Sequence, residues 1–150
     1  MKKNIILLIL SVLIFSVSSC HDETVDISVL PEATSTGKHT FGFMLDDWVY
    51  VGGRYHGRQS IDFTYYADSA KIKVHTELGT YGNNAIRFDI NNPVEGNDCA
   101  ITNVYFNATK MPDGTAKISR FDTLLYVVSG RFECGDKIKH GRFDVQFSRK

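Results

Sequence analysis

The sequence predicts an all-β protein, a single antiparallel β-sandwich or small barrel of about eight strands behind a lipidated flexible tether. Two observations predict this fold. From Thr40 onward, apolar and polar residues alternate with a period of two, which is typical of strands with one buried face. Turn residues separate these runs at intervals of about 8–12 residues, and no segment after Thr40 carries an apolar stripe of helical period.

The first nineteen residues have the form of a secretory signal. Two lysines precede an apolar run from Ile5 to Val17, which is shorter than the ~20 residues that span a bilayer. The segment VSSC, which ends at Cys20, resembles a bacterial lipobox, in which the cysteine is lipidated and becomes the first residue. We therefore expect a lipoprotein signal peptide at 1–19 and a lipid on Cys20. The alternative is an ordinary secreted protein in which Cys20 is incidental.

Residues 20–38 are rich in serine, threonine and acidic residues and show no periodicity, which predicts a flexible linker. Asp22 and Glu23, close behind Cys20, resemble the signal that sends Bacteroidota lipoproteins to the outer leaflet of the outer membrane. A solvated acidic linker is the alternative. We expect an outer-membrane lipoprotein exposed at the cell surface, attached by acyl chains such as palmitate, since two or three chains anchor a protein stably.

The domain expected at 39–150 begins with a hairpin. Phe41, Phe43 and Leu45 lie on one face of its first strand, and Asp46-Asp47 forms its turn. The apolar run from Thr123 to Phe132 is the best candidate for a central strand. The pattern predicts further strands at 60–65, 71–75, 86–90, 100–107 and 142–147, with turns at 67–70, 91–93 and 111–114.

The charge balance excludes some partners. The formal net charge is zero at pH 7 and falls to about −2 when the signal leaves with its two lysines. Nucleic acid binding requires a basic patch that displaces counterions, so we expect no nucleic acid partner. The expected membrane contact is the N-terminal lipid.

Cys99 and Cys134 remain after Cys20 is assigned to the lipid. Export to an oxidising compartment allows a disulfide between them, and two buried free thiols are the alternative. Both alternatives stay open, because the distance between the two residues cannot be judged from the sequence. Two cysteines without nearby histidines do not make a zinc site.

The sequence shows no catalytic constellation. The five histidines form no i, i+4 pair, no serine sits in a nucleophile elbow, and no glycine-rich loop precedes a helix. We therefore expect no enzyme activity, no cofactor and no metal site. His75 and Glu77 share one strand face and can meet a ligand together, although a solvated pair is the more ordinary interpretation.

Aromatic and basic residues cluster around a glycine-rich loop, and loops on a rigid β scaffold often bind ligands. Such a platform can stack on a sugar or hold an acidic glycan. The alternative is that Trp48 and Tyr65 belong to the core and the loop is a solvated hairpin tip. The candidate ligand-binding residues are Trp48, Tyr50, Arg54, Tyr55, His56 and Arg58, with Tyr65 and Tyr66 nearby.

Two short segments match the D-[S/T]-aliphatic pattern that resembles the Bacteroidota O-glycosylation site. Asp68-Ser69-Ala70 lies in a predicted turn, so Ser69 is a candidate for O-glycosylation. Thr123 also fits the pattern, but it begins a strand that we expect to be buried.

Two longer motifs resemble an uncharacterised family of short all-β lipoproteins of Bacteroidota. One is a T-G-x-x-T-F-G entry at residues 36–42, behind a proline-led linker. The other is a closing strand pair, with a G-x-F-x strand at 130–133 and I-x-x-G-R-F-D at 138–144. The family often has cysteine where this chain has Phe43. The resemblance implies an all-β domain on the outer membrane and carries no activity with it.

These expectations lead to one function class and an alternative. The first is a non-enzymatic binding or interaction module at the cell surface, with a glycan or an envelope protein as its partner. The alternative is a structural or assembly subunit of an envelope complex, which offers a sheet edge to a neighbour.

Overall fold

The computed structural model describes residues 27–52, 60–79 and 83–150, and its described part is built almost entirely of strands. The expected signal peptide and Cys20 lie outside the described residues. No described helix is long or apolar enough to cross a membrane. The strands are β1 (Thr40–Leu45), β2 (Trp48–Gly52), β3 (Ile61–Tyr66), β4 (Lys71–Gly79), β5 (Asn83–Asn91), β6 (Asp98–Phe106), β7 (Thr109–Lys110), β8 (Gly114–Asp122), β9 (Val127–Cys134), β10 (Ile138–Gln146) and β11 (Ser148–Arg149).

The strands close into an eight-position antiparallel barrel, which confirms the all-β prediction and selects the barrel over the sandwich. Successive strands are neighbours around the wall, and β10 pairs with β1 to close it. β2 and β3 together make up one of the eight positions, because both pair with β4. β2 does so at Gly52↔Leu78, and β3 does so at Ile61↔Thr76. The short β7 and β11 pair with β6 and β3.

Phenylalanine rings fill the barrel interior. The alternating residues of each strand point inward, and the rings meet one another across the axis. Phe132 lies at the centre, with ring centroids 5.6 Å from Phe41 and 5.1 Å from Phe88. Phe43 and Tyr50 stack at 5.4 Å near the β1–β2 end. The predicted inward face of β1 is confirmed, because Phe41 and Phe43 are fully buried.

Two wall positions must be glycine to admit these rings. A Cβ on Gly141 would clash with Cδ1 of Phe132, and one on Gly130 would lie 2.8 Å from Cζ of Phe143. A side chain at either position would force its neighbours to shift. In both cases a phenylalanine ring on one strand lies opposite a glycine on the neighbouring strand.

The predicted central strand starts later than the apolar run does. Residues 123–126 form the β8–β9 turn, and only Val127–Cys134 is a strand. Leu124 and Leu125 are 87% and 62% exposed. The cause is the Asp122 side chain, which accepts hydrogen bonds from the backbone N–H groups of both leucines and bends the chain there.

The C-terminal half of the predicted flexible linker is a packed strap. Residues 30–38 lie on the outer face of the wall, where Leu30 is buried and Pro31 covers Gly42. The Asp144 carboxylate on β10 accepts five hydrogen bonds, four of them from the strap and one from β9. The donors are Thr34 Oγ1, the N–H groups of Thr36, Gly37 and Lys38, and Ser129 Oγ.

Candidate functional site

A groove of about 380 Å³ runs across the outer wall of the barrel over β3, β4, β5 and β6. Phenylalanine rings occupy the axis of the barrel, so a ligand in this groove would meet the outer face of the wall. Outward-facing polar side chains and two tyrosines line the groove. Its polar and aromatic lining consists of Asp62, Thr64, Tyr66, Lys73, His75, Arg87, Asp89, Asn103 and Tyr105.

Strand register brings these side chains together in rows. In one row, His75 of β4 lies between Asp62 of β3 and Arg87 of β5, and Tyr105 of β6 follows Arg87. In the next row, Lys73 lies between Thr64 and Asp89. Residues directly opposite each other on antiparallel strands have Cβ atoms about 5 Å apart, so the rows form one continuous surface.

A β-bulge shapes the β6 side of the groove. Between the pairs Arg87↔Tyr105 and Asp89↔Thr102, the two residues Asn103 and Val104 oppose the single residue Phe88. Asn103 has a left-handed backbone (φ 57°), which asparagine adopts more readily than most residues. The bulge turns the Asn103 side chain outward, where its amide donates a 2.9 Å hydrogen bond to Asp89.

The acidic charge of Asp89 is already compensated within the wall. Lys71 Nζ lies 3.3 Å from Asp89 Oδ2, and the Asn103 amide donates to the same oxygen. The Asp89 side chain is only 13% exposed. Asp62, which is exposed, is the other carboxylate of the groove.

Two cations of the groove rest on tyrosine rings rather than on carboxylates. Lys73 Nζ lies 5.0 Å from the centroid of the Tyr66 ring, and Arg87 Cζ lies 4.4 Å from that of Tyr105. Neither cation is in an ion pair with a carboxylate in the described part of the chain. A cation–π contact orients the charge without neutralising it, so both cations remain able to attract an anion.

Only two of the six candidate loop residues fall within the described part of the chain. Trp48 is 73% exposed at the β1–β2 end of the barrel, so it does not belong to the core. Tyr50 points inward and packs edge-on against Phe106 at 5.1 Å. The other four, Arg54, Tyr55, His56 and Arg58, lie outside the described residues. Trp48 and Tyr50 therefore form no shared aromatic platform.

The remaining sequence candidates divide between core and surface. Tyr65 packs against Phe121 inside the barrel, at 5.1 Å, whereas its neighbour Tyr66 lines the groove. His75 and Glu77 are both exposed on the outer face of β4, and His75 belongs to the groove. Ser69 lies exposed in a 3₁₀ turn, Ala67–Ser69, which leaves it accessible to modification.

Cys99 and Cys134 are both free and buried. β8 lies between the strands that carry them, and two strand spacings amount to about 10 Å, beyond the ~7 Å limit between the Cα atoms of a disulfide. Cys99 Sγ instead donates to the Asn92 carbonyl oxygen at 3.4 Å. Burial, reinforced by the Asp113 carboxylate, raises the pKa of Cys134 to about 12, so that thiol stays protonated.

Within 27–52, 60–79 and 83–150, no three His, Cys, Asp or Glu side chains are grouped so as to hold a metal ion. The groove offers cations, hydroxyl groups and ring faces, which are the means to bind a ligand. Its lining contains no thiol and no pairing of a hydroxyl nucleophile with a base.

Sequence reasoning missed Lys73, Arg87 and Tyr105 as site residues, although it predicted the strands that carry them. The available signal was the polar face of two successive strands, where Lys73, Arg87 and Asp89 alternate with core residues. The bulge at Asn103 has no comparable signal, because a bulge depends on the register between two strands.

Comparison with known proteins finds no matching family model, no similar curated protein and no similar solved structure.

Proposed function

We propose that this protein is a non-enzymatic binding module, held at the outer membrane by a lipid on Cys20, and that its ligand binds in the outer-wall groove. One observation carries the proposal: Lys73 and Arg87 lie in the groove, each oriented by a tyrosine ring and neither paired with a carboxylate among the residues that the structure describes. Charges held in a concave surface without an internal partner are available to a ligand.

The location rests on the sequence. The lipobox-like VSSC and the acidic residues behind Cys20 support a lipoprotein exposed at the cell surface. The strap supports such an arrangement, because it joins the segment behind the lipid to the barrel wall through Asp144. Protease treatment of intact cells tests this location, since a surface protein is digested and a periplasmic one is protected.

A screen of immobilised glycans tests the binding function. The groove variant K73M/R87Q removes both unpaired cations. The control variant K117M/R131Q removes two exposed cations that face each other on β8 and β9, away from the groove. We expect the groove variant to lose binding that the wild type and the control both retain. Equal binding by all three proteins would contradict the groove as the site.

A second candidate, an assembly subunit of an envelope complex, is favoured by one surface feature. Leu124, Leu125 and Tyr126 expose a contiguous apolar tip at the β8–β9 turn. Closure of the barrel weakens the form of this candidate that pairs sheet edges, because all but two of the wall strands are paired on both sides. The two exceptions are β2, which meets β4 at Gly52, and β3, which meets β11 at Thr64 and Tyr65. A stable partner that co-purifies with the wild type but not with a Leu124→Ser, Leu125→Ser variant would favour the subunit over the binding module.

A further inference from the structure

The groove carries a positive charge beside each of its two tyrosines, Lys73 at Tyr66 and Arg87 at Tyr105. Lys73, His75 and Arg87 occupy three corners of a square on β4 and β5, and Asp89 occupies the fourth. Lys71 and the Asn103 amide both donate hydrogen bonds to Asp89. The negative charge of Asp89 is therefore compensated by neighbouring groups of the barrel wall. Apart from the compensated Asp89, the described lining contains one carboxylate, Asp62, against the two cations of Lys73 and Arg87. The groove therefore favours an anion.

The side chains of Lys73 and Arg87 are also held in position before a ligand binds. A freely moving lysine or arginine side chain loses conformational entropy when it binds an anion, and that loss opposes binding. Here the aromatic rings already hold both side chains, at 5.0 Å for Lys73 and 4.4 Å for Arg87. The Arg87 guanidinium presents parallel N–H donors that match the two oxygens of a carboxylate or the oxygens of a sulfate.

The rest of the groove suits hydroxyl-rich rings. Tyr66 and Tyr105 stand at opposite ends, three strands and about four residues apart, which is on the order of 15–20 Å. Asp62, Thr64 and His75 supply hydrogen-bonding groups between them. Aromatic rings pack against the apolar faces of sugars, while polar side chains bond to hydroxyl groups.

An acidic peptide fits this surface less well. Extended peptides usually bind by adding a strand to an open sheet edge. β4 and β5, at the centre of the groove, are paired on both sides, so the groove offers side chains rather than backbone groups. A polynucleotide needs an extended basic surface, whereas the described lining of this groove contains two Lys or Arg side chains and two aspartates.

We propose that the ligand of this groove is an anionic oligosaccharide, with one carboxylate or sulfate group at Lys73, another at Arg87, and its sugar rings between Tyr66 and Tyr105. The inference rests on the proposed binding function and names the class of its ligand. Carboxylate and sulfate share the recognised chemistry, and the experiment separates them.

The test is calorimetric titration of the full chain in detergent with four probes: an oligogalacturonate, its methyl ester, a sulfated oligosaccharide of similar length, and an oligoglutamate peptide. We expect the oligogalacturonate or the sulfated oligosaccharide to bind. Methyl esterification removes the charge while keeping the sugar backbone, so it should weaken oligogalacturonate binding at least tenfold. Added salt should weaken binding of the charged probe as well.

Variants assign the effect to the groove. We expect K73M and R87Q each to weaken binding of the anionic probe at least tenfold, and K117M/R131Q to leave it within twofold of the wild type. Circular dichroism of each variant confirms that it is folded. Preference for the carboxylate over the sulfate, or the reverse, identifies the anionic group.

Three outcomes would overturn the inference, and they differ from failure of the binding function. Equal affinity for the oligogalacturonate and its ester, still abolished by K73M/R87Q, would leave a groove that binds a neutral glycan. Preference for oligoglutamate would identify an acidic peptide as the ligand. Absence of binding to every anionic probe would also overturn the inference, whereas the glycan screen alone decides whether the groove binds a ligand.

Discussion

Asp144 shows how one carboxylate can organise a surface segment. It lies almost fully buried on the outer face of β10, where five donors surround it. Burial raises the pKa of the carboxyl group, but hydrogen bonds from Ser129, Thr34 and the backbone outweigh that effect and hold the pKa well below its ordinary value of 3.8. The ionised carboxylate is therefore the form that holds the strap.

This contact also joins the two motifs that carried the family resemblance. Gly37 belongs to the entry motif and Asp144 ends the closing motif, and they meet through a 2.7 Å hydrogen bond. The sequence predicted neither the contact nor the strap, because a carboxylate and its donors more than 100 residues apart leave no local pattern.

Replacing Asp144 with asparagine should destabilise the fold by about 2–4 kcal/mol, because an amide cannot accept all five hydrogen bonds and its NH₂ group faces donors. Urea denaturation measures the change. Asp98→Asn, at an exposed position on β6, is the matched control and should change stability by less than about 0.5 kcal/mol. A loss equal to that of the control would contradict the structural role of Asp144.

The same carboxylate predicts the acid dependence of stability. Its folded pKa lies below its unfolded value, so its contribution is fully present above about pH 4 and declines as the pH falls toward the folded pKa. Urea titrations between pH 7 and 2 should therefore show a steeper acid loss for the wild type than for Asp144→Asn. Parallel curves for the two proteins would contradict this assignment.

Cys134 should be chemically silent in the folded protein. Its thiol is buried and its pKa is raised to about 12, so the reactive thiolate is scarce at pH 8. We expect iodoacetamide to leave Cys134 unmodified until the protein is unfolded in urea, with mass spectrometry of tryptic peptides as the measurement. Rapid alkylation at pH 8 without denaturant would contradict the burial.

At the scale of elements, alternation located most strands but not all of their ends. β3, β4 and β5 appear where the period-two pattern predicts them. The start of β9 was placed too early, because the hydrophobicity of Leu124 and Leu125 carries no information about a turn made by a neighbouring side chain. The strap was missed for a similar reason, since its packing depends on the wall beneath it.

The β8–β9 turn predicts that its leucines contribute little to stability. The double substitution Leu124→Ser, Leu125→Ser should change the free energy of unfolding by no more than about 0.5 kcal/mol, because both side chains are already in water. Val128→Ser, inside β9, is the contrast and should cost more than about 2 kcal/mol. A large loss of stability in the double variant would contradict this turn and indicate that Leu124 and Leu125 are buried in a longer β9.

At the scale of the whole molecule, the sequence left barrel and sandwich open because closure is a long-range property. It depends on the pairing of β1 with β10, about 100 residues apart, and on β4 accepting both β2 and β3. Neither pairing has a local signature. The groove could not be predicted for the same reason, since it forms where four strands pair in register and one of them carries a bulge.

The filled interior predicts a strict requirement for glycine in the wall. Gly141→Ala places a methyl group against the Phe132 ring and carbonyl oxygen, and should destabilise the barrel by about 2–3 kcal/mol. Thermal and urea unfolding measure this loss. Ser119→Ala, at an exposed position of β8, is the control and should be nearly neutral. If Gly141→Ala left the stability unchanged, the barrel interior would have space for the added methyl group, which would contradict a filled core.

The central claim is that the ligand binds on the outer wall over β3–β6, and NMR titration tests it most directly. The full chain, labelled with ¹⁵N in detergent micelles, would be titrated with the anionic oligosaccharide that binds best. The account predicts that the largest amide shift changes cluster at Lys73, His75, Arg87 and Asn103. Changes centred instead on Trp48 and residues 53–59, with the groove amides unmoved, would contradict it.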